Sequence, residues 1–459
     1  MTRRPIRLSP ADAAAPLFEA IRREADVTAA FPPAVEAEAE AAARVPVAGE
    51  RSELPFVTID PPGSRDLDQA LHIERRGAGH RVSYAIADVA AFVGPGGALD
   101  RDVHERGVTV YAPDAKVPLH PPVLSEGAAS LLPGEWRPAV LWTLDLDATG
   151  ELVAAAVARR LVRSVAQHTY EDVPPELEPL LREVGERRLA IERERGGVRL
   201  AVPEQEVERE GDSWTLRYRV PLPSEEHNAQ VSLLTGMAAA DLMLRAGVGI
   251  LRTQPEPEAR AVERLREQAR ALRVEWPAGL SYPEFVRTLD PAVPAHAAVM
   301  HEATGVGHGA GYTAFDGAPP EEPEHFAIAA PYAHATAPLR RLQDRYVSEC
   351  CLAAAAGGPV PDWVRAGLPE LPGAMAAADK RARAVERAVV DVVEALLLQG
   401  REGERFEAVV IDEGTVQLRD PAVRGKLDGD CPSVGTELTV RLERADPATR
   451  TVEFSPASG

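Results

Sequence analysis

An acidic stretch early in the chain has the residue types of a metal-binding site. Residues 58 to 71 read TIDPPGSRDLDQAL and contain four side chains with a carboxylate or amide oxygen, Asp60, Asp66, Asp68 and Gln69. Pro62 and Gly63 suit the two central positions of a type II turn, which would bring Asp60 back toward the other acids. Oxygen-only ligands favour Mg²⁺ or Mn²⁺. A solvated acidic turn and a calcium loop are the alternatives, although the spacing does not match an EF-hand.

Two later stretches also carry residues capable of chemistry. In YAHATAPLRRLQD, residues 332 to 344, Arg340 and Arg341 follow a Thr-Ala-Pro turn and precede a predicted helix. Paired arginines at a turn are good phosphate ligands, and equally often a surface pair that bridges to acids. In RAVERAVVDVVEALLLQG, a predicted helix, Glu386 lies among apolar neighbours, where an ion pair is its ordinary role. Each stretch alone leaves both readings open.

The elements that must position these residues are of mixed type. LPFVTID, ALHIERR and HRVSYAIADVAAFV predict strands between Pro55 and Pro113, with GAGH as a turn. Residues 152 to 200 have the charged, periodic pattern of helices, and residues 227 to 275 and 362 to 400 predict long helices. No strand and helix alternation of a doubly wound sheet is present, so the fold class is α+β.

The two ends of the chain differ from this middle part. Two alanine- and glutamate-rich stretches predict a helical N-terminal region over residues 1 to 48, which either packs on the main domain or forms a helix-turn-helix-like unit. Residues 401 to 459 predict four or five short strands and a small OB-like barrel. Residues 49 to 400 would then form the main domain.

Composition limits the partners of the chain. The 459 residues carry a net charge of −20, which argues against non-specific coating of nucleic acid, so any polyanion must enter a locally basic groove. No membrane span, secretory signal or disulfide framework is indicated, which predicts a cytoplasmic protein without an obligate protein partner. Only Lys116, Lys380 and Lys426 are lysines among 51 basic residues, an observation to which the sequence alone gives no functional weight.

The three chemical stretches, in this order and separation, resemble the catalytic domain of the ribonuclease II and R family of 3'-to-5' exoribonucleases. The aspartate loop corresponds to the family's TIDxxxxxDxDDA motif, YAIADVAAFV to HIADVSxYV, and TAPLRRLQD to TSPIRRYxD. RDVHERGVTVY, LSEGAASLLP and RSVAQHTYEDV match as well. The resemblance covers about residues 50 to 400, and the terminal barrel is similar to the family's S1-type domain. It implies a large RNB-type catalytic domain followed by an S1-like OB-fold.

The resemblance also implies an activity and its residues. The chain would degrade single-stranded RNA processively from the 3' end to nucleoside 5'-monophosphates, by hydrolysis assisted by Mg²⁺ or Mn²⁺. The positions assigned to one or two metal ions are Asp60, Asp66, Asp68 and Gln69. Arg340 would stabilise charge on the phosphate, Tyr170 would stack on the last base, and Tyr111 would guide the strand further out. The other assigned RNA contacts are Arg341 and Glu386.

Two departures from the family pattern affect these expectations. Gln69 stands where the family has a fourth aspartate, which removes one negative charge and predicts weaker metal binding. In SEEHNAQVSLL the family's paired glutamates are matched to Ala229 and Gln230, which leaves the preference for RNA over DNA through the 2'-hydroxyl unsecured.

The terminal barrel has an unfavourable composition for RNA binding. Residues 401 to 459 contain eight basic and twelve acidic residues, and Phe406 and Phe454 are the only aromatic ones. Stacking platforms and basic grooves give such barrels their affinity, so this barrel would funnel the strand or simply pack.

Two other functions fit the same residues. A catalytically impaired member that binds RNA would explain Gln69, and residual metal-dependent cleavage distinguishes it from an enzyme. A metal-dependent phosphodiesterase for short oligonucleotides or DNA would fit Ala229 and Gln230, and a comparison of RNA with DNA of one sequence distinguishes it.

Overall fold

The computed structural model describes residues 14–200, 204–210, 213–219, 221–291, 293–421, 423–429 and 431–457. The start of the predicted N-terminal helical region, residues 1–13, lies outside these ranges. The helices are α1 Ala15–Glu24, α2 Pro33–Ala43, α3 Ala98–Arg106, α4 Glu178–Arg195, α5 Pro223–Ala246, α6 Ala259–Ala271, α7 Tyr282–Val286, α8 Pro294–Thr304, α9 Leu342–Ala356, α10 Asp362–Gly367 and α11 Leu371–Leu398. None of the described helices combines the length and apolarity that crossing a bilayer requires.

The described strands form two barrels and four two-stranded sheets. In chain order they are β1 Phe56–Ile59, β2 Gln69–Arg76, β3 Gly79–Ala87, β4 Val110–Tyr111, β5 Lys116–Val117, β6 Trp136–Leu146, β7 Leu152–His168, β8 Glu204–Glu210, β9 Ser213–Arg219, β10 Val248–Thr253, β11 Gly311–Asp316, β12 Glu324–His325, β13 Ala330–Pro331, β14 Arg405–Asp412, β15 Thr415–Leu418, β16 Arg424–Leu427, β17 Glu437–Asp446 and β18 Thr451–Pro456. The predicted strands around the aspartate loop are confirmed as β1 to β3, and the mixed α+β class is confirmed.

The first barrel is closed by five strands in the order β1-β2-β3-β6-β7. Neighbours are antiparallel except β1 and β7, which run parallel and close the ring. The helix predicted at the start of residues 152 to 200 is wrong, because residues 152–168 form β7. Alanines and arginines there suit a helix locally, but pairing with β6 and β1 along the strand overrides that preference.

Helices pack around this barrel and complete its core. Trp142 and Tyr84 are buried in the barrel strands, and the same apolar cluster extends into α5 and α9. The first ten residues of α9, from Leu342 to Cys351, are all buried. The loop that precedes α9 is therefore held firmly against the barrel, and this loop contains the paired arginines.

The second barrel is the predicted C-terminal OB-like barrel. Its strands close in the order β14-β15-β16-β18-β17, with β16 and β18 parallel. Its core continues into the second half of α11 and into α1, where Phe18 and Ile21 are buried. Val35 and Ala39 of α2 are buried in the core of the first barrel instead. The two N-terminal helices thus pack on different cores, which is unlike a helix-turn-helix unit.

Candidate active site

The aspartate loop lies at one rim of the first barrel. Asp60 directly follows β1, Asp68 directly precedes β2, and Tyr170 follows the end of β7, which runs parallel to β1. The Ser64 N–H donates to the Pro61 carbonyl at 3.2 Å, and Gly63 has φ of +82°. The type II turn predicted from the sequence is confirmed. The strand ends and this turn bring the acidic loop and Tyr170 to the same end of the barrel.

Asp68 is the most deeply buried of the three aspartates. It is 5% exposed, its Oδ1 accepts a 2.7 Å hydrogen bond from the Leu339 N–H, and its Oδ2 lies 3.4 Å from Arg340 Nε. Burial raises the pKa of Asp68 to about 7, although Arg340 and the Leu339 N–H act in the opposite direction. A positive charge at this point would favour the ionised carboxylate.

Asp60 has an oxygen that the protein leaves unsatisfied. Burial raises its pKa to about 7, with Arg340 opposing the shift and Asp66 adding to it. Its Oδ2 is buried and has no hydrogen-bond partner among the described residues. A buried carboxylate oxygen without a donor is costly, and a bound cation removes that cost. Asp60 and Asp68 therefore fit the hard divalent cation that the sequence predicts.

Asp66 faces other partners. Lys116 Nζ lies 2.9 Å from its Oδ1, and the Tyr111 hydroxyl donates to its Oδ2 at 3.3 Å. Across the described part of the chain, no three His, Cys, Asp or Glu side chains converge as a metal site. The sequence predicted that all three aspartates share the metal site. In the structure Arg340 acts on Asp60 and Asp68, while Asp66, which also acts on Asp60, pairs with a lysine from another element.

Lys116 is the main site residue that the sequence interpretation missed. It begins β5, and its ammonium also lies 2.6 Å from Glu126, which belongs to a π-helical turn at Leu124–Ala128. Partial burial disfavours its charge, but hydrogen bonds to Glu126 and Asp66 prevail and raise the pKa of Lys116. A lysine is rare in this arginine-rich chain, and that rarity was the available signal.

The Gln69 side chain is occupied by the protein itself. Its Nε2 donates to the Thr336 carbonyl at 2.6 Å, and its Oε1 accepts from the Tyr84 hydroxyl at 2.6 Å. The predicted metal-ligand position therefore ties β2 to β3 and to the loop before α9. The amide oxygen that would face a metal ion is already bonded to Tyr84.

The two paired arginines have different surroundings. Arg340 is 47% exposed at its side chain and raises the positive potential at both Asp60 and Asp68. Arg341 forms two hydrogen bonds to the buried carboxylate of Asp344, at 2.8 and 2.9 Å. Of this pair, Arg340 has the guanidinium that a phosphate can reach. The Arg341 guanidinium is already bonded to Asp344.

The two tyrosines predicted to contact RNA differ in exposure. Tyr111 is 53% exposed, while burial raises the pKa of Tyr170, which also bonds to Asn228 and lies near Glu225 of α5. Ser224 donates to the Tyr170 carbonyl at 2.6 Å. The beginning of α5, with Ser224, Glu225 and Asn228, thus lies against Tyr170.

The α5 positions that raised doubt about RNA preference are placed elsewhere. Gln230 is buried and donates to Glu192 of α4. Glu225 is the α5 carboxylate that acts on Tyr170, so an acid is present there irrespective of Ala229 and Gln230.

Glu386 is exposed on α11, and no ion pair or hydrogen bond joins it to the other site residues in the described ranges. Asp379, two helical turns earlier, lies 3.7 Å from Arg252, whose guanidinium stacks on Tyr312. Tyr312 bonds to His334 in the loop before the arginines. Asp379 is thus an α11 acid that approaches the neighbourhood of the site, and the sequence analysis did not single it out.

The barrel, the acidic rim and the arginine loop define a class of protein. Residues 50–355 match the RNB domain, and residues 404–457 match the RNase II-type exonuclease C-terminal S1 domain. The first match covers most of the chain, and the chain belongs to the RNB family.

Particular relatives are nucleases and one protein described as a pseudonuclease. Ribonuclease R of Escherichia coli is 28% identical over 316 residues, which are 64% of this chain and 38% of that protein. The chain thus spans about two fifths of that curated relative. Mycoplasma genitalium RNase R, solved with ribose-methylated single-stranded RNA, superposes with a TM-score of 0.85 at 17% identity over 96% of this chain and 77% of its own. Yeast Ssd1, a pseudonuclease, superposes with a TM-score of 0.72 at 15% identity over 93% and 58%.

Proposed function

We propose that this chain is a divalent-metal-dependent 3'-to-5' exoribonuclease that hydrolyses single-stranded RNA processively to nucleoside 5'-monophosphates. The observation that carries the proposal is the pair of carboxylates, the buried Asp68 and the half-buried Asp60, whose charges are both favoured by the partly exposed Arg340 guanidinium. Phosphodiester hydrolysis requires positive charge at the scissile phosphate and a water activated beside it. Membership of the RNB family supports this reaction class.

Each residue has a defined part in the proposed reaction. Asp60 and Asp68 would hold Mg²⁺ or Mn²⁺, which lowers the pKa of bound water and acts as a Lewis acid. Arg340 contributes a fixed positive charge to the phosphate, and the Leu339 N–H holds the Asp68 carboxylate in place. Tyr170 offers an aromatic face to the terminal base, which suits an enzyme that accepts every sequence.

The test uses one RNA with a label at either end. Incubation with Mg²⁺ should convert full-length 5'-labelled single-stranded RNA to a short end product without accumulation of intermediates, and should release the 3' label as a nucleoside 5'-monophosphate from the start. EDTA and Asp68→Asn should each reduce the rate by about 10³-fold or more, because EDTA removes the cation and Asp68→Asn removes one of its proposed ligands. Asp241→Asn, an exposed aspartate of α5 paired with Arg245, is the matched control and should cleave normally. An intact label in every lane contradicts the proposal.

One observation favours a second candidate, an impaired RNA-binding member of the family. Gln69 replaces an acid, and Lys116 places a positive charge on Asp66, so the rim carries less negative charge than three free aspartates would. Such a protein would bind single-stranded RNA in fluorescence anisotropy without shortening it. DNA of the same sequence in both assays tests the phosphodiesterase alternative.

A further inference from the structure

We propose that Lys116 acts as a resident cation for Asp66, so that the aspartate loop takes one divalent metal ion instead of two. This inference rests on the proposed function, since it concerns the metal content of the same site. It depends on how the protein occupies each carboxylate oxygen, and not on the identity of the RNA.

The three aspartates differ in what they can still bind. Both oxygens of Asp66 have partners, Lys116 at 2.9 Å and the Tyr111 hydroxyl at 3.3 Å. Asp60 has a buried Oδ2 without any partner in the described ranges. A metal ion at Asp66 would have to displace an ammonium that already neutralises it, whereas an ion at Asp60 satisfies an open oxygen.

Lys116 is held in place from two sides. Its ammonium lies between Asp66 and Glu126, and its side chain is 24% exposed. The short hairpin of β4 and β5 carries Tyr111 and Lys116. Arg22 of α1 bonds to Asp114 in the loop that joins the two strands. Two carboxylates and an anchored hairpin make the ammonium a fixed part of the rim.

The charge balance of the rim also fits one ion. Among the described residues, the carboxylates counted at the rim are Asp60, Asp66, Asp68 and Glu126, and the side-chain cations are Lys116 and Arg340. Arg341 and Asp344, which also act on Asp68, pair with each other and cancel in this balance. Two negative charges remain, and one divalent cation neutralises them. A second ion would leave a surplus of two positive charges, which the single charge of a phosphodiester does not balance.

Titration of the RNA-free protein with Mn²⁺, followed by the electron paramagnetic resonance signal of the free ion, tests the inference. Wild-type protein should bind one ion with millimolar or better affinity. Lys116→Met should bind two, since Asp66 is freed, and Lys116→Arg should remain at one. Lys426→Met removes a lysine that pairs with Asp428 in the second barrel, and this matched control should also remain at one.

The outcomes are separable from those of the cleavage assay. Two ions on the wild-type protein, or none, overturn the inference whatever the variants do. The inference can therefore be contradicted even if Lys116→Met does not fold. A folded Lys116→Met protein that binds one ion with unchanged affinity overturns it as well. One ion on the wild-type protein together with absent RNA cleavage would leave the inference standing and remove the proposed function.

Discussion

The chain contains two closed five-stranded barrels, and each is closed by one parallel pair of strands. The first has a buried carboxylate at its rim, Asp68, which Leu339 and Arg340 contact from a distant part of the chain. The second buries both of its phenylalanines, Phe406 and Phe454, in its own core. Similar barrel closure therefore does not define the chemistry, which depends on what other elements bring to the rim.

The same residue type behaves oppositely in the two barrels. Burial raises the pKa of Asp68 to about 7, whereas hydrogen bonds from Arg444 and Thr449 lower the pKa of the partly exposed Asp446 to about 2. Asp446 is already satisfied by its neighbours in a surface turn. Asp68 lies where a cation would stabilise its charge. Asp68 is thus available to a ligand, whereas the charge of Asp446 is already stabilised by hydrogen bonds within the protein.

The largest expected change is in the stability of the second barrel, and it comes from a substitution in its core. Phe454 is fully buried beside Phe406, and Phe454→Ala should lower the free energy of unfolding of this barrel by about 3 to 5 kcal/mol. Urea unfolding followed by circular dichroism measures the loss, and Phe454→Leu should cost less than about 1.5 kcal/mol. If Phe454→Ala, while folded, reduced RNA cleavage as much as Asp68→Asn, the separation of roles between the barrels would be wrong.

The second expected effect is a loss of stability at acid pH that originates at His120, between β5 and β6. Burial lowers the pKa of His120 to about 4, and its Nδ1 lies 3.2 Å from the Leu339 carbonyl. The unfolded chain, with a histidine pKa near 6.5, binds the proton first, so this stability is complete above pH 6.5 and is lost as the pH falls toward 4. At pH 5 the loss is about 2 kcal/mol relative to pH 7.

His120→Asn should reduce that loss, and urea unfolding at pH 7 and pH 5 measures it. His308→Asn, on an exposed loop, is the matched control and should retain the wild-type pH dependence. Equal pH dependence in wild-type and His120→Asn proteins would exclude His120 as the source.

The smallest effect tests the link between the two cores. Arg22 of α1, which packs with the second barrel, forms two hydrogen bonds to Asp114 at 2.6 and 2.9 Å, in the loop that joins Tyr111 to Lys116. A double-mutant cycle of Arg22→Ala and Asp114→Ala should give a coupling of about 0.5 to 1 kcal/mol in thermal unfolding.

Each single variant should also slow RNA cleavage by about two- to fivefold, since the hairpin over Asp66 loses its anchor, while Arg23→Ala on the exposed face of α1 should not. Additive stabilities with unchanged cleavage would mean that the second barrel and the acidic rim of the first barrel are independent.

Much of the fold followed from local patterns. Alternating apolar residues predicted β1 to β3 and the C-terminal barrel, and the proline and glycine of the aspartate loop predicted its turn. The first half of residues 152 to 200 was misassigned because β7 owes its structure to pairing with β6 and β1, which a helix-like composition conceals. Glu386 was named from the family resemblance, and only packing reveals that Asp379 of the same helix approaches Arg252.

The sequence by itself determined the aspartate loop, its turn and the family motifs, because these depend on residue types at short spacing. Tertiary structure alone decided the partner of each carboxylate. Asp68 bonds to Leu339, 271 residues away, Asp66 pairs with Lys116 from another hairpin, and Gln69 is taken up by Tyr84 and Thr336. Hydrogen bonds and ion pairs act over a few ångströms, and no local pattern in the sequence specifies which distant side chains folding will bring that close.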